Sequence, residues 1–264
     1  MAMPRGLLIL SSIRCDMELS VVLLEYHSLN EIATAVKSIR IYEQDCEIVV
    51  SSNSLYSEKE RQIAKETVPG VNWIFNAENG GFGYGMTMGA RHTTGEYIVF
   101  LNSDVKLNGS LKPMVDYLKS HDEVGVIGPE LVDDNGVVQD SYRVFVTPWN
   151  FALRQMKRLL HVEKDWKQTR PIETDWVIGA FLMTKKKYFD IVGGFDYKRY
   201  FMYNEDMDLC YEMKLRGLST VYYPLVSANY VGTRRARSSL KYAIIFIKTL
   251  CAFWMKTLFR KQGN

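Results

Sequence analysis

Tyr97-Ile98-Val99-Phe100-Leu101-Asn102-Ser103-Asp104 joins five β-favouring apolar residues directly to three short polar ones. A strand this uniformly apolar is buried on both faces, as in a parallel sheet covered by helices. Working back from it, Leu19–Leu24, Cys46–Val50 and Val71–Phe75 read as further short strands. The intervening segments Asn30–Ile41, Glu58–Thr67 and Phe82–Thr93 carry apolar residues near helical spacing. This alternation predicts a βαβαβαβ half whose sheet is mostly parallel and flanked by helices.

In open α/β sheets ligands sit outside the carboxyl ends of the strands. Reading just past each strand gives Glu25-Tyr26-His27, Ser51-Ser52-Asn53, Asn76 to Asn79 and Asn102-Ser103-Asp104. These four polar segments are expected to converge on one crevice. Asp104 would there offer an oxygen ligand to a hard cation such as Mn2+ or Mg2+, which needs only one or two carboxylates when phosphate oxygens supply the rest. Equally, Asn102 to Asp104 reads as an Asx-turn or a helix cap leading toward Leu111.

Downstream the pattern changes. Val124–Ile127 and Glu130–Val138 read as strands, the second broken by an Asn135-Gly136 turn. Trp149–His161 reads as a basic, aromatic helix, Trp176–Met183 as an apolar run and Asp206–Arg216 as a second helix. Glu205, Asp206 and Asp208 crowd the start of that last helix, where acids are favoured by its positive end. Phe201, Met202 and Tyr203 would half bury them, an arrangement that suits a catalytic carboxylate as well as a structural one. The run Gly80-Gly81-Phe82-Gly83-Tyr84-Gly85 imitates a dinucleotide fingerprint. Two βα units precede it, however, whereas such a loop follows the first strand of its unit. Its glycines are better suited to close backbone approach.

With 264 residues and 47% hydrophobic content the chain can bury a sizeable core. Its four cysteines form no C-x-x-C pair, which argues against a zinc cluster or a secreted disulfide framework and for a reducing, cytoplasmic setting. The last acidic residue is Glu212; ten basic residues follow it and take the chain from −7 over residues 1–212 to +3 overall. Lys241, Lys248 and Lys256 fall within about 80 degrees on a helix. An apolar face of Ile244, Ile245, Phe246, Phe253, Trp254 and Leu258 would complete an amphipathic segment lying on an anionic membrane, with Arg234, Arg235 and Arg237 just upstream. Docking on the catalytic body or at a dimer interface is the alternative. No run reaches about 18 uninterrupted apolar residues, so a peripheral rather than an integral protein is expected. Nothing resembles a zinc, helix-turn-helix or RNA-binding signature, so no nucleic-acid partner is expected.

Glu78-Asn79-Gly80-Gly81-Phe82-Gly83, Gly95-Glu96-Tyr97, Leu101-Asn102-Ser103-Asp104-Val105, Trp176-Val177-Ile178-Gly179-Ala180, Gly193-Gly194-Phe195-Asp196 and Phe201-Met202-Tyr203-Asn204-Glu205-Asp206-Met207-Asp208 occur in one order. Together, over about Leu19 to Gly232, the chain resembles the family-2 inverting glycosyltransferases, in their rhamnosyltransferase-like branch. The resemblance implies a GT-A-like α/β fold: a mostly parallel Rossmann-like sheet flanked by helices, then a mixed acceptor-side region and a basic amphipathic C-terminal helix. Residues 1–17, with only the short apolar piece Leu7–Leu10, read as a disordered leader, and the resemblance implies a catalytic domain over 18–232, split into a nucleotide-sugar half (18–105) and an acceptor half (106–232). The basic segment 233–264 follows.

The same resemblance implies Asp206 as catalytic base with Glu205 beside it, and Asp104 as the ligand of Mn2+ or Mg2+. Tyr26, His27, Ser51, Asn53, Asn79, Gly81, Phe82, Asn102 and Ser103 would bind a dTDP- or UDP-linked sugar. Trp176, Gly179, Ala180 and Tyr203 would face a lipid-linked saccharide acceptor used in cell-surface polysaccharide synthesis. The enzyme would sit at the inner face of the plasma membrane, in contact with anionic lipid and able to form a homodimer. Five residues depart from the family pattern: Ser51 and Ser52 where an aspartate usually meets the base, Thr87 and His27 where asparagines are common, and Tyr230 near the usual metal-binding histidine. A tyrosine is a poor metal ligand beside neutral imidazole, so these departures leave a catalytically degenerate member, binding a sugar nucleotide or a partner enzyme, as the alternative.

Overall fold

The computed structural model describes residues 18–159, 166–230 and 240–260. The expected leader, His161, the basic residues Arg234, Arg235 and Arg237, and the last four residues lie outside the described residues. The first half follows the predicted alternation: β1 (Leu19–Glu25), α1 (Leu29–Tyr42), β2 (Glu47–Ser52), α2 (Glu58–Thr67), β3 (Asn72–Phe75), α3 (Phe82–Ala90) and β4 (Tyr97–Leu101). Strands β3, β2, β1 and β4 are neighbours in that order and all parallel. Their side chains alternate between two cores. Val21, Leu23, Val99 and Leu101 face α1 and α4 (Lys112–Ser120), while Val22, Ile98 and Phe100 face the other layer.

Beyond β4 the sheet becomes mixed. The short β5 (Val105–Leu107) reaches the far edge of the sheet, and β6 (Val124–Val132) runs as one strand through the expected break. The Asn135-Gly136 turn lies past its end, with Gly136 at φ +76° and a single bridge from Val132 to Val138. Then come β7 (Tyr142–Arg143), α5 (Pro148–Leu159), β8 (Ile172–Thr174), β9 (Trp176–Val177), β10 (Phe181–Lys185), α6 (Lys186–Val192), α7 (Glu205–Lys214), β11 (Ser219–Tyr230) and α8 (Leu240–Arg260). The expected single run Trp176–Met183 is therefore two strands. It breaks at Ile178–Ala180, where the backbone turns to serve a carboxylate described below. Strand β10 inserts antiparallel between β4 and β6, and β11 pairs with β6, β5 and β8.

Helix α8 corrects the expectation that Phe246, Phe253, Trp254 and Lys256 face lipid or water. Leu250 and Phe253 are buried in the second core, and the Trp254 indole Nε1 donates to the Val146 carbonyl at 2.6 Å. The Lys256 ammonium donates to both Asp208 oxygens at 2.7 Å. The helix is apolar almost all the way round, so composition alone could not select its buried face. Among the described residues, α8 is also the one helix long and apolar enough by length and composition to cross a membrane. Counting only uninterrupted apolar runs missed this.

Truncating Phe253 to alanine should cost about 3–5 kcal/mol of stability, as for buried aromatics elsewhere. Denaturant midpoints of the two proteins measure it; an unchanged midpoint would mean that α8 is not docked in solution.

Candidate active site

The sheet brings two distant acidic segments to one edge. At the end of β4 the Asn102 amide donates to the Ala180 carbonyl at 2.9 Å, and Asp104 follows in an exposed turn before β5. One residue before Ala180, the Gly179 amide donates to Asp206 Oδ2 at 2.7 Å, and the Met207 amide donates to Oδ1 at 2.8 Å. Asp206 thus stands at the first turn of α7 with both oxygens oriented by backbone N–H groups, beside the strand pair that carries Asp104.

The segment leading into α7 is strained. Tyr203 and Asn204 are both left-handed, at φ +72° and +66°, a conformation that persists only where its surroundings enforce it. Here α8 does so: Asn204 Nδ2 donates to Thr249 Oγ1 at 2.9 Å, and the Tyr203 ring meets Phe246 edge-on at 6.0 Å. On the other side the Phe82 amide donates to the Phe201 carbonyl at 3.0 Å. A Cβ at Gly81, whose φ is +90°, would lie 1.9 Å from that carbonyl oxygen, so the glycine run lets two loops touch.

Burial dominates the electrostatics. Glu205 is buried, its Oε2 finds no hydrogen-bond partner among the described residues, and burial followed by the Asp206 charge pushes its carboxyl well above the ordinary range. Burial also raises Asp206, against the opposing N–H groups of Gly179 and Met207 and the charge of Arg143. The pair holds a proton at pH values where separate exposed carboxylates would have lost both. Asp208, raised by burial and held down chiefly by Lys256, also accepts from the Tyr200 hydroxyl at 3.1 Å.

Glu25, at the end of β1, falls in one of the expected crevice segments, but its role was not legible in the sequence. It is fully buried and accepts from Ser52 Oγ at 2.5 Å, Ser54 Oγ at 2.7 Å, the Tyr56 hydroxyl at 2.9 Å and the Ser28 amide at 2.9 Å. It thereby ties the loops after β1 and β2 into one floor. Asn53 joins that floor to the glycine run, donating to the Gly81 carbonyl at 2.9 Å and accepting from Asn76 Nδ2 at 2.8 Å. Asn79 Oδ1 accepts from the Gly81 amide at 3.1 Å. Ser51 is buried, its Oγ accepting from Asn76 at 2.9 Å, whereas Tyr26 and His27 are exposed with ring centroids 4.6 Å apart. Thr249 and Lys256 were also missed as site residues.

Of the residues expected to face an acceptor, Trp176 is not an open surface. It is buried, donates from Nε1 to the Val144 carbonyl at 3.0 Å and lies under the Arg143 guanidinium at 5.0 Å. Ala180 is buried and Tyr203 half-buried. A cavity of about 410 Å³ lies on the Asp208 side of α7, between Arg91, Gly194, Asp196, Glu212 and Lys256; neither Asp104 nor Asp206 lines it. Among the described residues no cluster of three His, Cys, Asp or Glu could cage a metal. Tyr230 pairs with Val105, next in sequence to Asp104, and packs against the first core. One exposed carboxylate suits a cation that takes its remaining ligands from phosphate and water.

A model of "Glycosyl transferase family 2" matches residues 20–190. The chain is 30% identical over 147 residues to the N-acetylglucosaminyl-diphospho-decaprenol L-rhamnosyltransferase of Mycobacterium tuberculosis strain H37Rv, covering 49% of this chain and 45% of that protein. It is 28% identical over 155 residues to rhamnosyltransferase WbbL of Escherichia coli K12, covering 54% and 55%. It is 22% identical to the low-salt glycan biosynthesis hexosyltransferase Agl10 of Haloferax volcanii, covering 80% and 66%. The match thus spans about half the length of the two rhamnosyltransferases. The crystal structure of GalNAc-T7 with UDP, GalNAc and Mn2+ superposes with a TM-score of 0.59 over 80% of this chain and 42% of that one, at 17% identity, which establishes the GT-A-like fold.

A carboxyl raised on folding favours the fold below its ordinary pKa, near 4.5 for Glu205, and that contribution is lost as pH rises through the folded value. Glu205→Gln should therefore gain in melting temperature relative to wild type between about pH 5 and about pH 8. A difference that stays flat across that range would contradict the buried, proton-holding Glu205.

Proposed function

The chain belongs to glycosyl transferase family 2, and we propose that it transfers a sugar from a nucleotide diphosphate donor to a hydroxyl of a lipid-linked saccharide, with inversion at the anomeric carbon. The observation that carries this reading is the Asp206 carboxylate, oriented by the Gly179 and Met207 amides and made more basic by burial. Asp206 takes the proton from the acceptor hydroxyl while that oxygen attacks the anomeric carbon. The bond from that carbon to the diphosphate oxygen breaks, its electrons leave with the nucleotide, and the new glycosidic bond forms on the opposite face. Glu205 keeps the proton balance of the pair, and the glycine run brings the donor-side floor of Glu25 and Asn53 against the acceptor loop.

Asp104 is the residue that would hold Mn2+ or Mg2+, which neutralises charge gathering on the departing diphosphate. Rhamnose as the sugar is taken from the names of two relatives, and a dTDP- or UDP-linked donor from the family resemblance of the motifs. The lipid-linked acceptor follows from the decaprenol in one of those names. Such an acceptor puts the work at the cytoplasmic face of a membrane, in polysaccharide assembly. A degenerate, non-catalytic member would have no use for a base whose carboxylate is oriented on both oxygens.

Asp206→Asn should lower transfer by about 10²–10⁴-fold, the usual contribution of a general base. Donor binding, read as a nucleotide-dependent rise in melting temperature, should persist. Undiminished transfer by this variant would remove Asp206 from the mechanism. Chelation should lower wild-type transfer, and Tyr230→His should reduce the Mn2+ concentration needed for half the nucleotide-dependent thermal shift, since imidazole is the better ligand. An unchanged Mn2+ requirement would separate Tyr230 from the metal.

A further inference from the structure

Helix α8 has two faces. Thr249, Phe253 and Lys256 point into the protein, where they meet Asn204, the second core and Asp208. On the opposite face Leu240, Ile244, Ile247, Met255 and Leu258 lie within an arc of ~80° at 3.6 residues per turn. They are 46–79% exposed, and Phe259 extends the stripe along one flank. Lys241 and Lys248 are exposed on that same flank. No acidic residue follows Glu212 in the chain, while the sequence just before α8 adds Arg234, Arg235 and Arg237.

We propose that α8 seats the protein flat on an anionic lipid surface through this outward stripe, opposite the face that carries the catalytic segment. The proposal deepens the reading of a lipid-linked acceptor and rests on it for its purpose. The stripe supplies apolar area for the acyl boundary, and the lysines beside it meet anionic headgroups. The stripe is not the one composition suggests, because Phe246, Phe253, Trp254 and Lys256 are already used inside. Crossing the bilayer would require α8 to withdraw Thr249 from Asn204 and Lys256 from its buried carboxylates. A second copy of this chain offers the flanking lysines no acid on the same helix to pair with, whereas an anionic headgroup does.

The full chain is mixed with vesicles of phosphatidylcholine alone or with added phosphatidylglycerol, and floated on a density gradient. Wild type should float with the anionic vesicles and markedly less with the neutral ones. Ile244→Glu/Leu258→Glu should reduce flotation about ten-fold or more while keeping the wild-type melting temperature and donor hydrolysis. Ile63 is exposed on α2, a helix that packs against α1, so Ile63→Glu should float as wild type. The proposal is overturned if the double variant floats undiminished, if both vesicle types bind equally, or if the protein resists alkaline extraction as a spanning protein would. It is likewise overturned if the stripe variants turn a dimer into a monomer and leave flotation unchanged. Flotation reads no chemistry: an inactive protein that floats counts against the transfer reading alone, and an active one that fails to float counts against α8 alone.

Discussion

Position 81 has no room for a side chain, because the Phe201 carbonyl occupies the space a Cβ would need. Through that contact and the adjoining amide bond from Phe82, the loop that opens α3 and the loop that opens α7 become one surface. The first belongs to the parallel half of the sheet and the second to the mixed half. Asn53 then carries the connection back to β2 and Asn204 carries it forward to α8. The parallel half, the mixed half and the C-terminal helix are tied together through two loops about 120 residues apart in the chain.

Charge is concentrated around that junction. Four acids, Glu205, Asp206, Asp208 and Glu212, stand on α7, where the helix N-terminus offers only partial compensation. They separate by face: Asp206 looks toward Gly179 and β10, while Asp208 and Glu212 share Lys256. Neutralising the second pair leaves Glu205 and Asp206 as the group whose proton is still in play. A half-buried carboxylate held by N–H groups keeps its geometry while partial loss of hydration raises its basicity, the combination a proton acceptor needs.

The parallel half was legible in the sequence because its strands, covered on both faces, are short continuous apolar runs separated by periodic helices. β6 to β9 were harder to read. Strands of two or three residues such as β7 and β9 carry no period, and the apolar run from Trp176 breaks at Gly179, whose amide donates to a carboxylate 27 residues later. Asp104 and Asp206 stood out as carboxylates at a strand end and a helix start, and the fold brings their segments together. Glu25, Thr249 and Lys256 did not stand out, since each acquires its role from a partner 27 to 48 residues away. For α8 the helix itself was legible, whereas its buried face depends on where Asp208 and Asn204 come to lie.

That arrangement makes solubility and competence pull against each other. Trimming the chain upstream of Leu240 to obtain a better-behaved sample would strip away an oily outer surface, but it would also leave Asp208 buried without its counter-ion and the Tyr203–Asn204 bend without its brace. A shortened protein of that kind could keep its sheet and still lose the shape of its reaction centre.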